Sequence, residues 1–474
     1  MSKKHSTLLV FSLFILWLNA QEYRLKPGEV FDSIQVVGTE ESYSIYLPPN
    51  YEKKGKWPVL LIFNLQGEGR KQMQELLPIA ATEGYLLASS HQVRDSLSIT
   101  DNVLISDRMI ESMKTLFSIH MGRVYTYGRG VNARFANLVP VLLKDVEGVL
   151  SDGAGLANRQ LLNTKNPFHF IGVVRPDDFN YPLLLQDVAR LKKIKFRNQL
   201  LVEQVVDSSS QALQHRETLR TALRMFTLAA MDNKFAEKDS LYLQRTYTQA
   251  TQQIGSLFSQ GDAQRALQWM EAWRRAFEEM VPMTEWDEKE KIWKKSRLYK
   301  TQRREEETAF FKENILKEDF IYYLQEDMEV TNFNNLGWWN SQMTDLKGFI
   351  QSPVDRRSEM GYRLTHFVNA LIDDSIDLSK QEADAKEYDE FLYLWMLKTL
   401  TEPDKAEAYL QVASLSSYRE DYGTALFYLE ELLKRGYKDR DRLYALEDTA
   451  LLRIMPEFNA LINKYFKDSR YQPK

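Results

Sequence analysis

The chain has 474 residues, of which 44% are hydrophobic and 27% charged, and its formal net charge is −4 at pH 7. This length allows two or three domains, and the composition excludes a disordered acidic tail, a collagen and a coiled-coil rod. The near-neutral charge argues against nucleic acid as a main partner, because phosphate binding needs a dense cationic face. The chain contains no cysteine, which excludes disulfides, thiolate metal sites and cysteine nucleophiles.

Residues 1–20 have the pattern of a secretory signal peptide. Lys3 and Lys4 precede an apolar stretch of eleven residues, 8–18, and a cleavage site lies before Gln21. Eleven apolar residues are too few to span a bilayer, which takes about 20. An uncleaved anchor or a buried first helix is the alternative. We expect an exported protein that is periplasmic or peripherally associated with the outer membrane, with no transmembrane span in the mature chain.

The remainder divides into two parts of different composition. Glycine and proline together number 22 in residues 1–235 and 12 in residues 236–474, and seven of the nine tryptophans lie in the second part. The change predicts a boundary near residues 232–240. After the signal peptide we therefore expect one domain at 21–235, a helical domain at 236–400 and a repeat with capping helices at 401–474.

The first part alternates β-rich runs with helical patterns, which predicts an α/β fold with a mostly parallel sheet covered on both faces. Two alternating strands before Pro58 fit an antiparallel edge. The predicted strands are 34–38, 43–47, 58–63, 84–89, 123–127, 148–151, 168–174 and 199–204, and the predicted helices are 70–83, 101–120, 131–144, 180–193 and 211–230.

The second part has the spacing of amphipathic helices and lacks strand patterns. Residues 403–435 resemble a tetratricopeptide hairpin, in which Ala413 and Ala425 let two helices touch and Gly436 ends the second helix. The residues predicted to pack around this contact are Tyr409, Leu429 and Leu432.

A weaker copy of this hairpin spans 247–279, with its turn at Gly261-Asp262. In this copy Ala266 takes the small position, Trp269, Met270 and Trp273 are expected to face inward, and Ile254 replaces the usual small residue. The stretch 285–400 is helical but off the repeat pattern. The final stretch, 441–465, is predicted to cap the last repeat through Leu451, Leu452, Phe458 and Leu461.

Four segments of the first part resemble an α/β-hydrolase of the esterase and polyester-depolymerase type, and the helical tail resembles exported members from Bacteroidota. The resemblance covers about 200 residues and implies an oxyanion loop at Gly67 and Gly69. The segments are YSIYLPPNYEKKGKWPVLLIFNLQGEG (43–69), RVYTYGRGVNARFANL (123–138), GVLSDGAGL (148–156) and PDDFNYPLLL (176–185).

The departures from that family matter most for function. The family's G-x-S-x-G nucleophile elbow reads Gly128-Arg129-Gly130-Val131-Asn132 here, so a glycine occupies the serine position. The resemblance places Asp178 at the acid position and Asp207 at the histidine position. A triad that lacks both nucleophile and base leaves little reason to expect turnover, which predicts a degenerate hydrolase without catalytic residues.

Three other sequence features give weaker indications of a functional site. Ser151 is a conceivable substitute nucleophile, although a loop serine is the more ordinary interpretation. The sequence Gly128-x-Gly130-x-x-Ala133, with Asp152 nineteen residues later, matches a dinucleotide fingerprint, but it follows several strands instead of opening the domain. The histidines outside the signal show no metal or triad spacing and read as surface or core residues; they are His91, His120, His169, His215 and His366.

The charged clusters also have ordinary structural interpretations. Arg129 and Arg134 beside a helix start could hold an anion, but solvated or paired arginines are expected. No metal-ligand set is present in the pattern, and the pairs Asp177-Asp178 and Asp373-Asp374 read as turn or cap residues.

Two aromatic segments of the helical part could bind a partner. The run 285–313 predicts an amphipathic helix that packs one apolar side inward, formed by Trp286, Ile292, Trp293 and Tyr299. The alternative is a helix on which another protein docks. Gly337-Trp338-Trp339-Asn340 could stack a sugar or a peptide, although core packing is favoured.

The sequence therefore favours a non-catalytic exported scaffold or accessory protein that binds other envelope proteins through its helical part. An esterase or carbohydrate-ester hydrolase with a relocated nucleophile is one alternative, and a glycan-binding module is another. Neither a cofactor nor a metal is expected, and the pattern does not specify the partner.

Overall fold

The structure is a computed structural model that describes residues 25–380 and 387–467. The predicted signal peptide, 1–20, lies outside these residues. Among the described residues, no helix is long and apolar enough to cross a membrane.

The first part contains eight strands and five helices that alternate along most of its length. They are β1 (Val30–Gln35), β2 (Ser42–Tyr46), β3 (Trp57–Ile62), α1 (Gly69–Glu83), β4 (Leu86–Ser90), α2 (Ile99–Leu116), β5 (Ile119–Arg129), α3 (Val131–Leu142), β6 (Gly148–Asp152), β7 (His169–Val174), α4 (Tyr181–Lys193), β8 (Asn198–Val202) and α5 (Ser208–Asp232).

The eight strands form one sheet in the order β1-β2-β4-β3-β5-β6-β7-β8. β1 pairs with β2 and β2 with β4 in antiparallel register, whereas every pairing from β4 through β3 to β8 is parallel. This confirms the predicted α/β class, the mostly parallel sheet and the antiparallel edge. It is the mixed sheet of an α/β-hydrolase fold, and it places the carboxyl ends of β5 to β8 along one edge.

Continuous apolar strands produce this arrangement because both faces of the sheet are buried. Along β3, for example, Val59 and Leu61 point to one core while Leu60 and Ile62 point to the other. Helices α2, α3 and α4 cover the first face, and α1 and α5 cover the second. Parallel strands covered on both faces are expected to read as unbroken hydrophobic runs.

One strand prediction is displaced. β1 ends at Gln35, whereas the sequence predicted a strand over 34–38. Residues 36–39 instead form the turn to β2, in which the Thr39 N–H donates to the Val36 carbonyl at 3.1 Å. Val37 is 89% exposed, so its apolar side chain does not indicate burial at this position.

The second part contains twelve α-helices among its described residues, which confirms the helical region after the sheet. They are α6 (Ser240–Ser259), α7 (Ala263–Phe277), α8 (Thr284–Lys295), α9 (Arg297–Val330), α10 (Leu336–Ile350), α11 (Asp355–Ser379), α12 (Glu387–Thr401), α13 (Ala406–Tyr418), α14 (Tyr422–Lys434), α15 (Arg440–Tyr444), α16 (Ala450–Ile454) and α17 (Pro456–Phe466).

The hydrophobic core continues across the compositional boundary. α6, α7 and α8 join the same apolar cluster as the sheet, α1 and α5. The Trp269 indole N–H donates to the Val202 carbonyl at the end of β8, at 2.8 Å. The inward-facing residues predicted for 247–279 are buried, with Trp269 4%, Met270 1% and Trp273 2% exposed. This hairpin therefore completes the flank of the sheet.

The hairpin of α13 and α14 has the packing expected of its sequence. Ala413 and Ala425 are fully buried, and Tyr409, Leu429 and Leu432 pack in the same cluster. Gly436 follows α14 with φ +90°, a left-handed conformation that favours glycine after a helix end.

Two predictions for helical faces are wrong in detail. The run 285–313 is not one helix, because the chain bends at Ser296, whose hydroxyl caps α9 by accepting from the Tyr299 N–H. Trp286 and Trp293 are buried but Ile292 is 67% exposed. In the terminal cap Leu451 is 59% exposed. The short α16 turns Leu451 outward, and Ile462 of α17 is buried in the same cluster as Leu452.

Candidate functional site

A sharp turn joins β5 to α3. Its central residue, Gly130, has φ +59° and ψ −127°, a conformation that L-residues rarely adopt. Two residues earlier, a Cβ on Gly128 would overlap the backbone of Asn132. The strand-to-helix elbow that presents a nucleophile in α/β-hydrolases is therefore retained in geometry.

The elbow opens into a cavity of about 1090 Å³ at the carboxyl ends of β5 to β8. Helix α5 and, from the second part of the chain, helix α11 provide further walls. Its lining residues are Glu75, Arg129, Gly130, Val131, Arg134, Asp152, Gly153, Ala154, Val174, Arg175, Asp177, Asp178, Phe179, Asn180, Glu203, Ser208, Gln211, Ala212, His215, Arg216, Leu219, His366, Ala370 and Asp374.

Gly130 brings no reactive atom to this cavity. A Cβ built on Gly130 would meet nothing within 4 Å, so the surrounding side chains leave room where a nucleophile's side chain would project. The residue at the tip of the elbow therefore presents only backbone atoms to the cavity. No nucleophilic attack can start from this position, although the local geometry that serves such an attack is present.

The loop between β3 and α1, which supplies one oxyanion donor in this fold, is tied to the elbow. The Leu65 N–H donates to Asn132 Oδ1 at 2.8 Å, and the Asn132 amide donates to Gln66 Oε1 at 3.1 Å. Asn132 occupies the position of the last glycine of the family's motif. Because its side chain takes the Leu65 N–H, that donor is not free to stabilise an oxyanion.

Gly67 lies in the same loop and Gly69 is the first residue of α1, and neither residue lines the cavity. A Cβ on Gly67, whose φ is +82°, would come within 2.6 Å of the Arg94 guanidinium. A Cβ on Gly69 would overlap the Ser89 hydroxyl. The positive φ favours glycine at position 67, and the contact with Ser89 favours glycine at position 69, in both cases independently of any oxyanion.

His215 of α5 lies between two carboxylates. Its Nδ1 is 2.9 Å from Glu203 Oε1 and its Nε2 is 3.1 Å from Asp152 Oδ2. The three side chains are 16%, 5% and 8% exposed, respectively. Burial alone would lower the pKa of the imidazole, but hydrogen bonding and charge from the two carboxylates outweigh it and raise the pKa to about 10.

A histidine with this pKa carries its proton at neutral pH and cannot accept another one. Nδ1 shares a hydrogen bond with Glu203 at 2.9 Å, whereas Nε2 lies at ion-pair distance from Asp152, 3.1 Å, without forming a hydrogen bond. Asp152 is held further by the Tyr127 hydroxyl, which donates to it at 3.1 Å. The charge of the ring is therefore balanced by Asp152 and Glu203 on either side of it.

The acid and base positions named by the family resemblance are separated. Asp178 lines the cavity, and burial raises the pKa of its carboxyl while the Asn180 N–H, which donates to it at 2.8 Å, opposes that change. Asp207 is exposed and is the N-cap of α5, where it accepts from the Ser209 and Ser210 N–H groups. Those serines hold the pKa of Asp207 at about 2, so it acts as a helix cap.

Helix α11 brings His366 and Asp374 to the cavity from the second part of the chain. It is fixed to the α/β part by Arg363, which is 2% exposed, pairs with Glu313 at 2.6 Å and donates to the Pro176 carbonyl. Pro176 lies directly before the loop that carries Asp178. The second part of the chain therefore both walls the cavity and holds this loop.

The remaining serine and histidine candidates lie outside the cavity. His91 contacts Ser42 and Ser44 at 3.0 and 2.8 Å, but Ser44 is fully buried and donates to Asp32 at 2.7 Å. No substrate can reach a hydroxyl in that position. Ser151 is also fully buried, and its hydroxyl donates to the Ala154 carbonyl at 2.7 Å.

The other sequence candidates have structural contacts. Arg129 lies 3.7 Å from both Glu75 and Asp152, and Asp177 pairs with Arg175. In residues 25–380 and 387–467, no group of three or more histidine and acidic side chains could hold a metal ion.

Trp338 and Trp339 do not form a flat platform for a sugar. Their ring planes are inclined at 85°, and Trp339 is fully buried, with its indole N–H donating to Asp327 at 2.9 Å.

The cluster of His215, Asp152 and Glu203 is the main feature that sequence reasoning missed. Asp152 and Glu203 each fall at the end of a predicted strand, and the carboxyl ends of parallel strands meet at one edge of a sheet. The sequence therefore indicated that these two carboxylates lie near each other. His215 could not be placed from its spacing, because its position depends on where α5 starts and how the helix crosses the sheet.

Comparison with solved structures gives weak similarity over less than half of the chain. An esterase from the planctomycete Thermogutta terrifontis is 10% identical, with a TM-score of 0.33, covering 45% of this chain and 96% of that one. A putative dienelactone hydrolase from Klebsiella pneumoniae is 12% identical, with a TM-score of 0.35, covering 42% and 98%. One of two fungal esterases from Rhizomucor miehei is 10% identical, with a TM-score of 0.34, covering 42% and 84%.

No protein-family model matches the chain. No curated protein sequence matches it either. The assignment of the α/β-hydrolase fold therefore depends on the strand order and the elbow described above.

Proposed function

We propose that this protein is a non-catalytic accessory protein, a degenerate hydrolase that binds other proteins in a periplasmic or outer-membrane assembly. The observation that carries the proposal is Gly130, a residue without a side chain at the tip of a retained nucleophile elbow. Loss of the nucleophile alone costs a serine hydrolase about a million-fold in rate. The ion pairs of His215 with Asp152 and Glu203 support the same conclusion for the catalytic base.

The partner surface that we propose lies on α9. Phe311, Ile315 and Tyr322 are 70%, 45% and 55% exposed, and their spacing of four and seven residues puts them on one face of the helix. Exposed apolar rows of this kind mark interaction sites. Four exposed carboxylates without an ion pair to any described residue lie along the same helix: Glu318, Asp319, Glu326 and Glu329.

The charge of this surface specifies the kind of partner. An apolar row bordered by unpaired carboxylates complements a segment that presents apolar side chains flanked by lysine or arginine. The partner we propose is an envelope protein with such a segment. The signal-peptide pattern of residues 1–20 supports the export part of the proposal, and the resemblance of the helical tail supports a protein of the exported Bacteroidota type.

Catalysis is tested with a fluorophosphonate probe and short-chain nitrophenyl esters on the purified mature chain. We expect neither labelling nor turnover. The Gly130→Cys variant is the access control, since alkylation of the chain's only thiol by iodoacetamide needs no activating partner and would show that a small reagent reaches the cavity. Labelling of the unmodified chain that disappears on substitution of one serine would refute the non-catalytic role.

The same experiment separates the alternative of a relocated nucleophile. Ser208 lines the cavity together with His215, so it is the serine that such an esterase would use. Loss of labelling in Ser208→Ala, with retention in the buried control Ser151→Ala, would favour the esterase. The protonated state of His215 argues against this outcome because it leaves Ser208 without that base.

The partner surface is tested by placing a photo-crosslinking amino acid at Phe311 or Tyr322 in the native envelope. We expect one defined adduct, with a protein whose crosslinked segment is basic and apolar. The matched control is Leu213 on α5, which is 61% exposed and distant in sequence from α9. Equal crosslinking from Leu213, or an adduct through an acidic segment, would contradict the proposal.

A further inference from the structure

The chain passes from one hydrophobic core to another at Ser296. The apolar clusters around the sheet extend as far as Trp293 of α8, whereas the apolar clusters of the helical part begin at Ala309. Among the described residues, Phe310 is the one residue after Ser296 that packs against a cluster of the sheet. The chain therefore forms a first body, residues 25–295, and a second body, helices α9 to α17, and each body has its own core.

Ser296 has the local structure of a hinge. It is the single residue between α8 and α9, with φ −61° and ψ 147°. The side chains on either side of it, 294–295 and 297–298, are exposed, so they do not fix the direction of α9 by burial. Hinges are commonly a few residues at the ends of helices or strands that absorb a change of backbone dihedral angles.

Polar side chains join the two bodies. Across the boundary, Asp262 of α7 pairs with Arg356 of α11 at 3.0 Å, and Arg265 of α7 pairs with Glu359 of α11 at 3.3 Å. The side chains of Arg265, Arg356 and Glu359 are 4%, 7% and 7% exposed. Arg356 and Glu359 also pair with each other at 2.8 Å. These four residues form one ion-pair network that is shared by the two bodies.

A second group of contacts lies at the start of α4. Arg363 of α11 donates to the Pro176 carbonyl, and its guanidinium carbon lies 5.9 Å from the centre of the Tyr181 ring. The Tyr181 hydroxyl donates to Glu306 of α9 at 3.1 Å. These contacts and the ion-pair network are together called the joint below. The joint therefore consists mainly of hydrogen bonds and ion pairs.

A polar joint opens more readily than an apolar one. Charges that leave a buried ion pair regain contact with water, which offsets much of the attraction that is lost. Separation of apolar surfaces has no such compensation, because its cost grows with the apolar area exposed. Relative motion is therefore expected between domains unless their contact is large and hydrophobic.

One face of α11 carries both the joint and a wall of the cavity. The residues of this face follow each other at intervals of three or four, which places them on one side of the helix. They are Arg356, Glu359, Arg363, His366, Ala370 and Asp374. The last three line the cavity, whereas α5, which lines it through Ser208 and Ala212, belongs to the first body. A rotation at Ser296 would therefore move one wall away from the rest of the cavity.

We propose that the second body is a lid, hinged at Ser296 and held closed by the joint. In the closed state α11 completes the wall of the cavity. When the joint opens, α11 moves away from α5 and larger molecules gain access to the cavity. This motion is independent of the partner surface on α9, and it requires no chemistry at Gly130.

The test is a distance measurement by pulsed electron paramagnetic resonance on the full mature chain. Spin labels are attached to Leu213→Cys on α5 and Leu378→Cys on α11, which are 61% and 65% exposed and are the only thiols of that variant. Leu213 follows the lining residue Ala212, and Leu378 lies one turn beyond the lining residue Asp374, so this distance reports the opening of the cavity. The control pair, Leu213→Cys with Leu142→Cys, lies within the first body.

The joint is weakened by the double variant Arg356→Gln/Glu359→Gln. It removes one cation and one anion together and leaves Arg265 paired with Asp262 at 2.8 Å. Both ion pairs that cross the boundary in this network are lost. We therefore expect the equilibrium to shift toward the open state by at least about tenfold, seen as a longer distance between α5 and α11.

Two further variants separate motion from loss of structure. Arg363→Gln removes the contact with Pro176 and should lengthen the same distance without changing the ion-pair network. The matched control is Arg419→Gln/Asp389→Asn, which removes an exposed ion pair of 2.6 Å inside the second body. This control should leave the distance between α5 and α11 unchanged.

Three results would overturn the proposal. They are an unchanged distance between α5 and α11 in both joint variants, an equal lengthening in Arg419→Gln/Asp389→Asn, or a change of the control pair in both joint variants, which would mean that the first body itself is disrupted. The proposed non-catalytic role would survive each of them, because it depends on Gly130 and not on the joint.

Discussion

His215 and its two carboxylates predict an unusual dependence of stability on pH. The pKa of His215 is raised from 6.5 to about 10 in the folded chain. A group whose pKa rises on folding stabilises the fold fully below its unfolded pKa and loses that contribution as pH rises to the folded value. The stabilisation should therefore be complete below pH 6.5 and disappear progressively up to about pH 10.

The size of the effect can be bounded. One unit of pKa corresponds to about 1.4 kcal/mol, so the change sets a ceiling of about 5 kcal/mol. His215 keeps some solvent contact, and removing one partner of a buried ion pair costs about 3–5 kcal/mol. We therefore expect His215→Gln to lower the free energy of unfolding by about 3 kcal/mol near neutral pH, because Asp152 and Glu203 lose their shared cation.

The assay is urea denaturation of the wild-type chain and His215→Gln at pH 6, 8 and 10, followed by tryptophan fluorescence. We expect the difference in unfolding free energy between the two proteins to shrink steadily with pH. The imidazole resonances of His215 in labelled protein provide an independent readout, which should remain those of the charged ring at pH 8. A difference that is constant with pH, or a neutral His215 at pH 8, would refute the reasoning.

Further predictions concern the elbow and the contacts between the two parts of the chain. Gly128→Ala should destabilise the fold by about 3 kcal/mol or more, since its Cβ would overlap α3. Gly130→Ala should cost only the backbone strain of about 1–3 kcal/mol. Thermal unfolding of the two variants compares these losses, and equal losses would contradict the argument from the contact of Gly128 with α3. Arg363→Met should cost about 1.5–3 kcal/mol, because Glu313 keeps its ion pair with Lys317 at 2.7 Å but loses Arg363, and the Pro176 carbonyl loses its donor. Urea denaturation should show that adding Glu313→Gln recovers part of the loss. Trp269→Phe should cost about 1–3 kcal/mol, because the last carbonyl of β8 loses its donor; an unchanged urea midpoint would show that this hydrogen bond is dispensable.

The sequence was sufficient for the sheet and for most helices because their signal is local. Runs such as residues 58–63 are apolar without interruption, and only a strand buried on both faces requires that pattern. The edge strand β1 was displaced because an exposed valine, Val37, resembles a core residue in sequence. The exposure of Leu451 was not predicted because a five-residue helix is too short to show a periodicity that separates its buried and exposed faces.

The site was partly predictable. The glycine pattern at 128–130 fixes the elbow, because a strand-to-helix turn of this shape needs positive φ. The cavity wall contributed by α11 was not predictable, since His366 lies more than two hundred residues from Gly130 in sequence and no local pattern encodes their proximity. The role of Asp207 as a helix cap was open to prediction, because aspartate followed by serines is a common helix start.

The shared core of the sheet with α6, α7 and α8 also affects how the chain folds. Trp269 and Trp273 belong to the same apolar cluster as Leu201 of β8 and Phe226 of α5. A chain that stops at residue 235 would leave that flank open to water. During synthesis, the α/β part therefore remains without part of its core until residue 293 has left the ribosome. A chaperone that shields apolar surface would act during that interval, and a truncated α/β part would aggregate.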